Sequence, residues 1–293
     1  MWTPPKLVNW ISEDLNKRKL PPPHRLEAEY LVCHALGLSR LDIYLNHDKP
    51  CTHEERECLK ALLKRRHNRE PLAYIIGSCD FWSLHLTIKK GVLIPRQDTE
   101  VLVSAALELI PDSPREQAYR ILELGTGSAA IPLALSLERK FIQIITVEKS
   151  PSAMAIAKDN ILKYQAEVKQ QGNHIQLVHG NGFSSIKRVP CTDMIISNPP
   201  YIPSGEIPKL QNEVSQWEPS LALDGGEDGL NFYRYLRTTA EILLKEQGVL
   251  IFEHGFDQYA SILALMEKSD TLSFHKAVKD IEGRDRVMIY KKR

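Results

Sequence analysis

The feature that most constrains the fold is an alternation of helical and strand-like segments that begins near residue 98. Segments whose apolar residues repeat with helical spacing lie at about 98–110, 129–138, 151–170, 229–244 and 256–268. Short apolar segments typical of buried strands lie at 120–124, 142–147, 175–179, 192–197 and 247–253. This order predicts a doubly wound α/β fold, in which helices cover both faces of a mostly parallel sheet.

The chain ends in two further strand-like segments, 272–278 and 285–290, with no long helix between them. Strands that follow each other without a crossover helix pair antiparallel, so we expect an antiparallel pair at the edge of the sheet. The sequence therefore predicts a seven-stranded sheet that is parallel except at its C-terminal edge.

The first part of the chain has a different pattern, with short helical segments between Pro4 and Arg69 that are interrupted by prolines and glycine. Thr52 and Glu55 have the spacing of a capping box, which predicts a helix over about 52–69. This helix carries basic residues beside many acidic ones, which favours a solvated face over a surface for an anionic partner. The basic residues are Lys60, Lys64, Arg65, Arg66 and Arg69.

Alternating apolar residues between Phe81 and Ile94, with a Lys-Lys-Gly turn at 89–91, predict a β-hairpin that links the two parts. We therefore expect a small helical domain over 1–78, a hairpin linker over 79–95 and a catalytic domain over 96–293.

The composition is that of a globular protein, with 43% hydrophobic and 26% charged residues among 293. A formal net charge of +1 provides no global field that would attract nucleic acid, so nucleic-acid binding is not expected. The start of the chain lacks the pattern of a signal peptide, and no apolar stretch is long enough for a membrane span. We expect a cytoplasmic enzyme without a membrane partner. Five cysteines at irregular spacing indicate structural thiols; they are Cys33, Cys51, Cys58, Cys79 and Cys191.

A glycine-rich turn joins the first predicted strand to the next helix, and its glycines are Gly125 and Gly127. Such a turn lets a ligand approach the backbone at the carboxyl edge of the sheet. The second strand ends in Glu148, whose carboxylate can accept hydrogen bonds from the ribose hydroxyls of a nucleoside. NAD enzymes and methyltransferases share both features, so this region alone leaves the two classes open.

A second motif, Asn198-Pro199-Pro200-Tyr201, ends the strand at 192–197. The two prolines lack N–H groups and stiffen the turn, so the loop presents hydrogen-bond acceptors. The side-chain carbonyl of Asn198 and the backbone carbonyl of Pro199 can hold a planar NH₂ group with its lone pair directed at an electrophile. Tyr201 can pack against the plane of that group.

These motifs resemble the HemK/PrmC family of protein-(glutamine-N5) methyltransferases. The resemblance spans nearly the whole chain, and the I-P-R segment is its most specific part. Its motifs are Tyr74-Ile75-Ile76-Gly77 with Phe81, Val92-Leu93-Ile94-Pro95-Arg96-Gln97-Asp98-Thr99-Glu100, Glu123-Leu124-Gly125-Thr126-Gly127-Ser128, Ser197-Asn198-Pro199-Pro200-Tyr201, Glu218-Pro219, and Ala222-Leu223-Asp224-Gly225-Gly226 followed by Gly229-Leu230.

The resemblance implies a Rossmann-like class I methyltransferase that uses S-adenosyl-L-methionine and releases S-adenosyl-L-homocysteine. Its implied substrate is the glutamine of the Gly-Gly-Gln motif in class I peptide chain release factors, and the resemblance implies that the helical domain over 1–78 is the substrate-recognition domain. The implied cofactor contacts are Glu123, Gly125, Thr126, Gly127, Glu148, Asn181 and Asn198. The implied substrate contacts are Asn198, Pro199, Pro200, Tyr201 and Arg96, of which Asn198, Pro199 and Tyr201 take part in catalysis.

The sequence departs from the family pattern at a few positions. Gln97 and Asp98 stand where the family usually has proline and glutamate, and Ala129 replaces a frequent glycine in the cofactor loop. Asn181 stands where an acidic residue near the adenine is common, although its side-chain carbonyl can still accept from an amine.

Other functions remain open from sequence alone. A DNA or RNA adenine-N6 methyltransferase would present the same planar NH₂ group to the Asn198 loop. A nicotinamide-dependent dehydrogenase and a non-catalytic binding module are less compatible with that loop. The scattered histidines predict no metal site, and Glu253 with His254 near the expected site fits packing or solvent exposure better than a general base.

Overall fold

The computed structural model describes residues 1–45, 47–112 and 117–293. Contacts divide these residues into two compact units. The first unit contains Met1–Ser78 together with Gln211–Trp217, and the second contains Cys79–Leu210 and Glu218–Arg293.

The first unit is helical, as its sequence pattern predicts. Its helices are α1 (Pro4–Lys17), α2 (His24–Leu36), α3 (Arg40–Leu45), α4 (His53–His67) and α5 (Leu72–Ile76). Thr52 caps α4 by accepting from the backbone N–H of Glu55, whose side chain accepts from the Thr52 N–H in return. The predicted capping box is therefore present. Buried leucine, isoleucine and valine side chains of α1, α2 and α4 form the core of this unit.

The basic residues of α4 do not all lie on a solvated face, so that prediction is wrong for Arg66. Its guanidinium is only 2% exposed, and it is paired with Glu27 at 2.9 Å and with Glu213 at 3.0 Å. Glu213 belongs to the segment 211–217, which joins the first unit although it lies far along the chain. Two carboxylates compensate the cost of burying the charge of Arg66.

The second unit contains two sheets and the helices that pack on the larger one. Its strands are β1 (Ser78–Phe81), of which only Ser78 belongs to the first unit, β2 (Leu84–Thr87), β3 (Tyr119–Leu124), β4 (Ile142–Glu148), β5 (His174–His179), β6 (Thr192–Ser197), β7 (Leu244–Glu253), β8 (Leu272–Lys279) and β9 (Asp285–Lys292). Its longer helices are α6 (Asp98–Leu107), α7 (Ala130–Glu138), α8 (Pro151–Lys163), α9 (Gln165–Gln170), α11 (Asn231–Leu243) and α12 (Tyr259–Met266), while α10 (Asn212–Ser215) lies in the first unit.

The larger sheet has seven strands within the described residues, in the order β5-β4-β3-β6-β7-β9-β8. The pairs β3–β4, β3–β6, β4–β5 and β6–β7 are parallel, whereas β7–β9 and β8–β9 are antiparallel. The predicted fold is confirmed, including the antiparallel C-terminal edge. Because β3, β4, β5, β6 and β7 are parallel, their carboxyl ends lie at the same edge of the sheet.

The predicted hairpin is displaced along the chain. The observed hairpin joins β1 to β2 through a turn at Trp82, which has a left-handed φ of 55°. The segment 92–94, expected to be its second strand, is not a strand. Val92 is 1% exposed, so burial rather than strand pairing explains the apolar residues of that segment.

Candidate active site

A cleft opens at the carboxyl edge of the larger sheet, and it encloses about 830 Å³ including its open mouth. Its walls come from the loops that follow β3, β4, β5 and β6, and from the segment before α6. The lining residues include Gly91, Val92, Leu93, Gly125, Gly127, Glu148, Asn181, Asn198, Pro199, Pro200 and Phe232. Its position is the one expected for ligands of open α/β sheets.

The glycine-rich turn after β3 forms one wall of the cleft. Gly125 has φ of 81° and Gly127 has φ of 56°, conformations that favour glycine. A Cβ atom on Gly125 would lie 4.0 Å from the backbone oxygen of Asn198, which also lines the cleft. Ala129 has φ of 66°, so the residue at the family's frequent glycine position adopts the conformation that glycine prefers.

The carboxylate of Glu148 is held at the end of β4 by two backbone donors. Its Oε2 atom accepts from the N–H of Gly127 at 2.9 Å, and its Oε1 atom accepts from the N–H of Ser150 at 2.8 Å. Each carboxylate oxygen has a second lone pair. Glu148 lines the cleft, so this remaining capacity is available to hydroxyl groups of a ligand.

Glu123 and Thr126, two of the expected cofactor contacts, are not among the residues that line the cleft. Glu123 is fully buried and is hydrogen bonded to Thr146, whose hydroxyl is also paired with that of Thr126. Burial raises the pKa of Glu123 well above its usual range. These buried side chains therefore stabilise the glycine-rich turn. The expected contact of Glu123 and Thr126 with a cofactor stays a prediction.

Asn181 is exposed and lines the cleft between Gly180 and Gly182. The backbone N–H of Gly180 donates to the backbone carbonyl of Glu148, which joins the loops after β4 and β5. Phe232, at the start of α11, also lines the cleft. The aromatic ring and the amide together fit a flat, polar base such as adenine.

The Asn198-Pro199-Pro200 segment lies at the end of β6 and lines the same cleft. Pro199 is buried, whereas Asn198 and Pro200 are partly buried. The Nδ2 atom of Asn198 donates to the hydroxyl of Thr99 at 2.9 Å. With its donor end used in this way, the amide keeps its carbonyl oxygen free for a donor on a ligand.

Tyr201 follows this segment but is not part of the cleft lining. Its ring packs against the buried core of the second unit, and its hydroxyl lies 3.4 Å from Oε1 of Glu253. Burial raises the pKa of Tyr201. The structure therefore shows Tyr201 as a support of the loop, and its expected contact with a planar substrate group stays a prediction.

Arg96 is paired with Glu218, the two residues belonging to two separate motifs of the sequence. The other oxygen of Glu218 accepts from the backbone N–H of Ile94 at 3.2 Å. Glu218 thus fastens the segment before α6, a part of which lines the cleft. The sequence places both Glu218 and Thr99 in motifs of the family but assigns neither residue a role in the site.

The residues of this cleft fit S-adenosylmethionine. Glu148 would hold the ribose hydroxyls, the region of Asn181 and Phe232 would hold the adenine, and the backbone of Gly125 and Gly127 would admit the methionine part. Among the described residues no group of three or more His, Cys, Asp or Glu side chains is placed to hold a metal ion.

Two family models match the chain. The model of the PrmC N-terminal domain matches residues 6–77, and that of the methyltransferase small domain matches residues 99–214. With the sheet order and the cleft, these matches define an S-adenosylmethionine-dependent methyltransferase with the class I fold.

Relatives identify the family within this class. The chain is 38% identical to the release factor glutamine methyltransferase of Geobacter sulfurreducens, over 98% of this chain and 96% of that protein. It is 40% identical to the release factor glutamine methyltransferase of Thermodesulfovibrio yellowstonii, over 98% of both chains. The chain belongs to the release factor glutamine methyltransferase family, which confirms the resemblance found in its motifs.

A solved structure was also matched. It is the protein-(glutamine-N5) methyltransferase (release factor-specific) from Alicyclobacillus acidocaldarius, which is 24% identical. The alignment covers 68% of this chain and 94% of that chain, with a TM-score of 0.39.

Proposed function

We propose that this protein transfers a methyl group from S-adenosylmethionine to the side-chain nitrogen N5 of the Gly-Gly-Gln glutamine in class I peptide chain release factors. The observation that carries the proposal is the orientation of Asn198. Its Nδ2 atom is engaged by Thr99, so its Oδ1 atom is left to accept from an NH₂ group. This arrangement suits a primary amide, whose nitrogen carries two protons.

The backbone carbonyl of Pro199 supplies the second acceptor of the proposed site. Proline has no N–H, so neither Pro199 nor Pro200 presents a competing donor at this turn. Two acceptors can hold both protons of the glutamine NH₂ group and fix its plane. The nitrogen lone pair is then directed out of that plane, toward the cleft that these residues line.

S-adenosylmethionine supplies a methyl group on a positively charged sulfur, an electrophile that needs no further activation. The chain contributes mainly by placing the amide nitrogen in line with that group. No dedicated general base is required, because the amide nitrogen becomes acidic as it gains the methyl group and then loses its proton to water.

We also propose that the first unit takes part in recognition of the release factor, since the PrmC N-terminal model covers most of it. Arg96, Pro200 and Tyr201 are proposed to shape the glutamine pocket. Among the described residues no helix is long and apolar enough to cross a membrane. We propose a cytoplasmic location for this activity, because release factors act in translation.

The test is transfer of labelled methyl from S-adenosylmethionine to a purified release factor. The matched substrates are a release factor with Ala in place of the motif glutamine, and duplex DNA. The enzymes are the wild type, Asn198→Ala and the exposed control Asn16→Ala. We expect label only on the intact release factor, with wild type and Asn16→Ala, and its near loss with Asn198→Ala.

Peptide mass analysis then locates the methyl group. A methyl group on the motif glutamine supports the proposal. Label on DNA instead would favour an adenine-N6 methyltransferase, and label that persists on the Gln→Ala release factor would refute the proposed target.

A further inference from the structure

Two features beside the segment 198–201, here called the acceptor loop, have no role in the proposed chemistry. They are the glycine motif at 222–230 and a buried glutamine, Gln258. Gln258 directly precedes α12, is 8% exposed and is not among the residues that line the cleft. A buried amide needs hydrogen-bond partners, because the burial of unpaired polar groups is costly. The partners of Gln258 therefore indicate what this side chain holds in place.

The side-chain amide of Gln258 is bound by three backbone groups. Its Oε1 atom accepts from the N–H of Gly255 at 3.0 Å. Its Nε2 atom donates to the backbone oxygen of Tyr201 at 2.8 Å and to that of Gly229 at 3.4 Å. An N–H group can only donate and a carbonyl oxygen can only accept, so these partners fix which end of the amide is Nε2.

Gln258 joins the loops that follow two neighbouring strands. Tyr201 follows β6 and Gly255 follows β7, and these strands are parallel neighbours in the sheet. Their carboxyl ends lie at the edge where the cleft opens. The hydrogen bond from Gln258 therefore fastens the end of the acceptor loop to the loop of the next strand.

The glycine motif packs closely against this contact. A Cβ atom on Gly229 would lie 2.5 Å from the backbone oxygen of Tyr201 and 2.6 Å from Nε2 of Gln258. A Cβ atom on Gly225 would lie 2.8 Å from Cα of Tyr201. Only residues without a side chain leave the space in which Gln258 reaches the Tyr201 carbonyl.

The same motif pairs with the chain directly after the acceptor loop. The backbone N–H of Ile202 donates to the oxygen of Leu223 at 3.0 Å, and the oxygen of Ile202 accepts from the N–H of Gly225 at 2.9 Å. The motif and Gln258 thus hold adjacent parts of one segment.

The prolines explain why the acceptor loop needs such a contact. Pro199 and Pro200 lack N–H groups, so neither can anchor the loop through a backbone donor. In the proposed function the Pro199 carbonyl accepts from the glutamine, so it does not serve as an anchor. The carbonyl of Tyr201, directly after the prolines, can be held without occupying a substrate acceptor, and Gln258 supplies the donor.

We propose that Gln258 is a positioning residue for methyl transfer. By holding the Tyr201 carbonyl, its Nε2 atom keeps the oxygens of Asn198 and Pro199 aligned with the substrate amide. The inference rests on the proposed function, because it concerns the same substrate site. It goes beyond that function by assigning a role to a side chain outside the cleft and outside the motifs of the family resemblance.

The test compares two variants of Gln258 with the wild type. Gln258→Met has a similar length but neither donates to Tyr201 nor carries a charge. Gln258→Glu keeps an acceptor for the N–H of Gly255 and replaces the Nε2 donor by an oxygen. Because Gln258→Met introduces no charge, it provides the test even if Gln258→Glu does not fold.

Asn173→Asp is the matched control, because it also exchanges a buried amide donor for an oxygen. Asn173 is 6% exposed, and its Nδ2 atom donates to the backbone oxygens of Ser136 and Arg139, each at 2.6 Å. Its Oδ1 atom accepts at 2.8 Å from the N–H of Ile142, the first residue of β4. This amide therefore lies at the opposite edge of the sheet from the cleft.

Five quantities are measured on each protein. They are kcat, KM for the release factor, the affinity for S-adenosylhomocysteine, stability in urea, and the NMR signal of the backbone N–H of Ile202. This N–H shares its peptide group with the Tyr201 carbonyl, so its signal responds to the hydrogen bond from Gln258.

Gln258→Met is expected to lower kcat about tenfold, the equivalent of one lost hydrogen bond. The KM for the release factor and the affinity for S-adenosylhomocysteine should stay close to the wild-type values, because the contact acts on the alignment of the reacting groups. The Ile202 signal should shift in both Gln258 variants. Asn173→Asp should lose stability but keep kcat and the Ile202 signal.

Gln258→Glu adds a dependence on pH. An ionised carboxylate would place an oxygen against the carbonyl oxygens of Tyr201 and Gly229, so kcat should fall below that of Gln258→Met. A protonated carboxyl can donate to Tyr201, so the ratio of its kcat to that of the wild type should rise as the pH is lowered. A loss of packing alone would not give this recovery.

Wild-type kcat in Gln258→Met, or an unshifted Ile202 signal, would overturn the inference. The inference also fails if Asn173→Asp lowers kcat as much as Gln258→Met, since the effect would then be general destabilisation. A wild type that does not methylate the release factor refutes the proposed function instead. The Ile202 signal needs no substrate, so it still tests whether Gln258 holds the acceptor loop.

Discussion

The guanidinium of Arg96 is paired with the carboxylate of Glu218, which follows it by 122 residues in the chain. The Glu218 side chain is 1% exposed, whereas that of Arg96 is 39% exposed. If the ion pair is broken, water can therefore reach the Arg96 side chain more easily than the Glu218 carboxylate.

We therefore predict that Arg96→Ala destabilises the protein more than Glu218→Gln does. Loss of Arg96 leaves a buried carboxylate without its cation, at a cost of about 1–3 kcal/mol. Loss of the Glu218 charge leaves a guanidinium that water can reach. Urea unfolding of both variants measures the order, and a larger loss for Glu218→Gln would contradict it. The activity of the double variant Arg96→Ala/Glu218→Gln is then compared with that of Glu218→Gln, and the difference shows whether Arg96 also contacts the substrate.

Gly225 is predicted to tolerate no side chain. A Cβ atom there would lie 2.8 Å from Cα of Tyr201 and 2.9 Å from the backbone oxygen of Gly229, and backbone atoms cannot move aside cheaply. We expect Gly225→Ala to cost about 2 kcal/mol of unfolding free energy and to reduce kcat by displacing Tyr201. Gly205→Ala is the matched control, since nothing lies within 4 Å of a Cβ atom at Gly205. Equal stability of the two variants would refute this account.

Glu148→Ala is predicted to weaken cofactor binding. Hydrogen bonds to a charged group contribute about 1.5–3 kcal/mol, so the dissociation constant for S-adenosylhomocysteine should rise about 10- to 100-fold. Calorimetric titration measures it, with Glu246→Ala as an exposed control. When the cofactor is added at a saturating concentration, the turnover rate of Glu148→Ala should reach much of the wild-type value. An unaltered dissociation constant would remove Glu148 from the cofactor site.

Glu253 is predicted to make stability depend on pH. Its pKa in the folded protein, about 7, lies above the ordinary value of 4.5, mainly because of burial. The folded protein therefore holds this proton more tightly, and the resulting stabilisation is complete below about pH 4.5 and is lost as the pH rises through about 7.

Glu253→Gln lacks this contribution. From about pH 5 to 8 the wild type should lose on the order of 3 kcal/mol relative to Glu253→Gln, as measured by urea unfolding of both proteins. A difference that stays constant with pH would contradict the prediction.

The central strands could be predicted closely from the sequence, because each apolar segment ends in a distinctive residue. Gly125, Glu148 and Asn198 mark the ends of β3, β4 and β6, and the parallel order of these strands brings all three to one cleft. The hairpin was displaced because the apolar residues near Val92 are buried for another reason than strand pairing.

Side-chain partners were harder to predict than strands. The hydrogen bond between Asn198 and Thr99 joins residues 99 positions apart, and local patterns contain no information on such a pair. Burial of the Glu123 side chain is likewise not evident from local sequence, and the cofactor contact that the resemblance implies for this residue stays a prediction.

The segment 211–217 belongs to the same compact unit as the first 78 residues, and Glu213 within it pairs with the buried Arg66. The helical unit is therefore discontinuous in the gene. Recombination or design could exchange only the N-terminal part of this unit between related enzymes. Arg66 and Glu213 would then come from different parents, and neither would keep the partner with which it evolved. A working chimera has to inherit both pieces of DNA together.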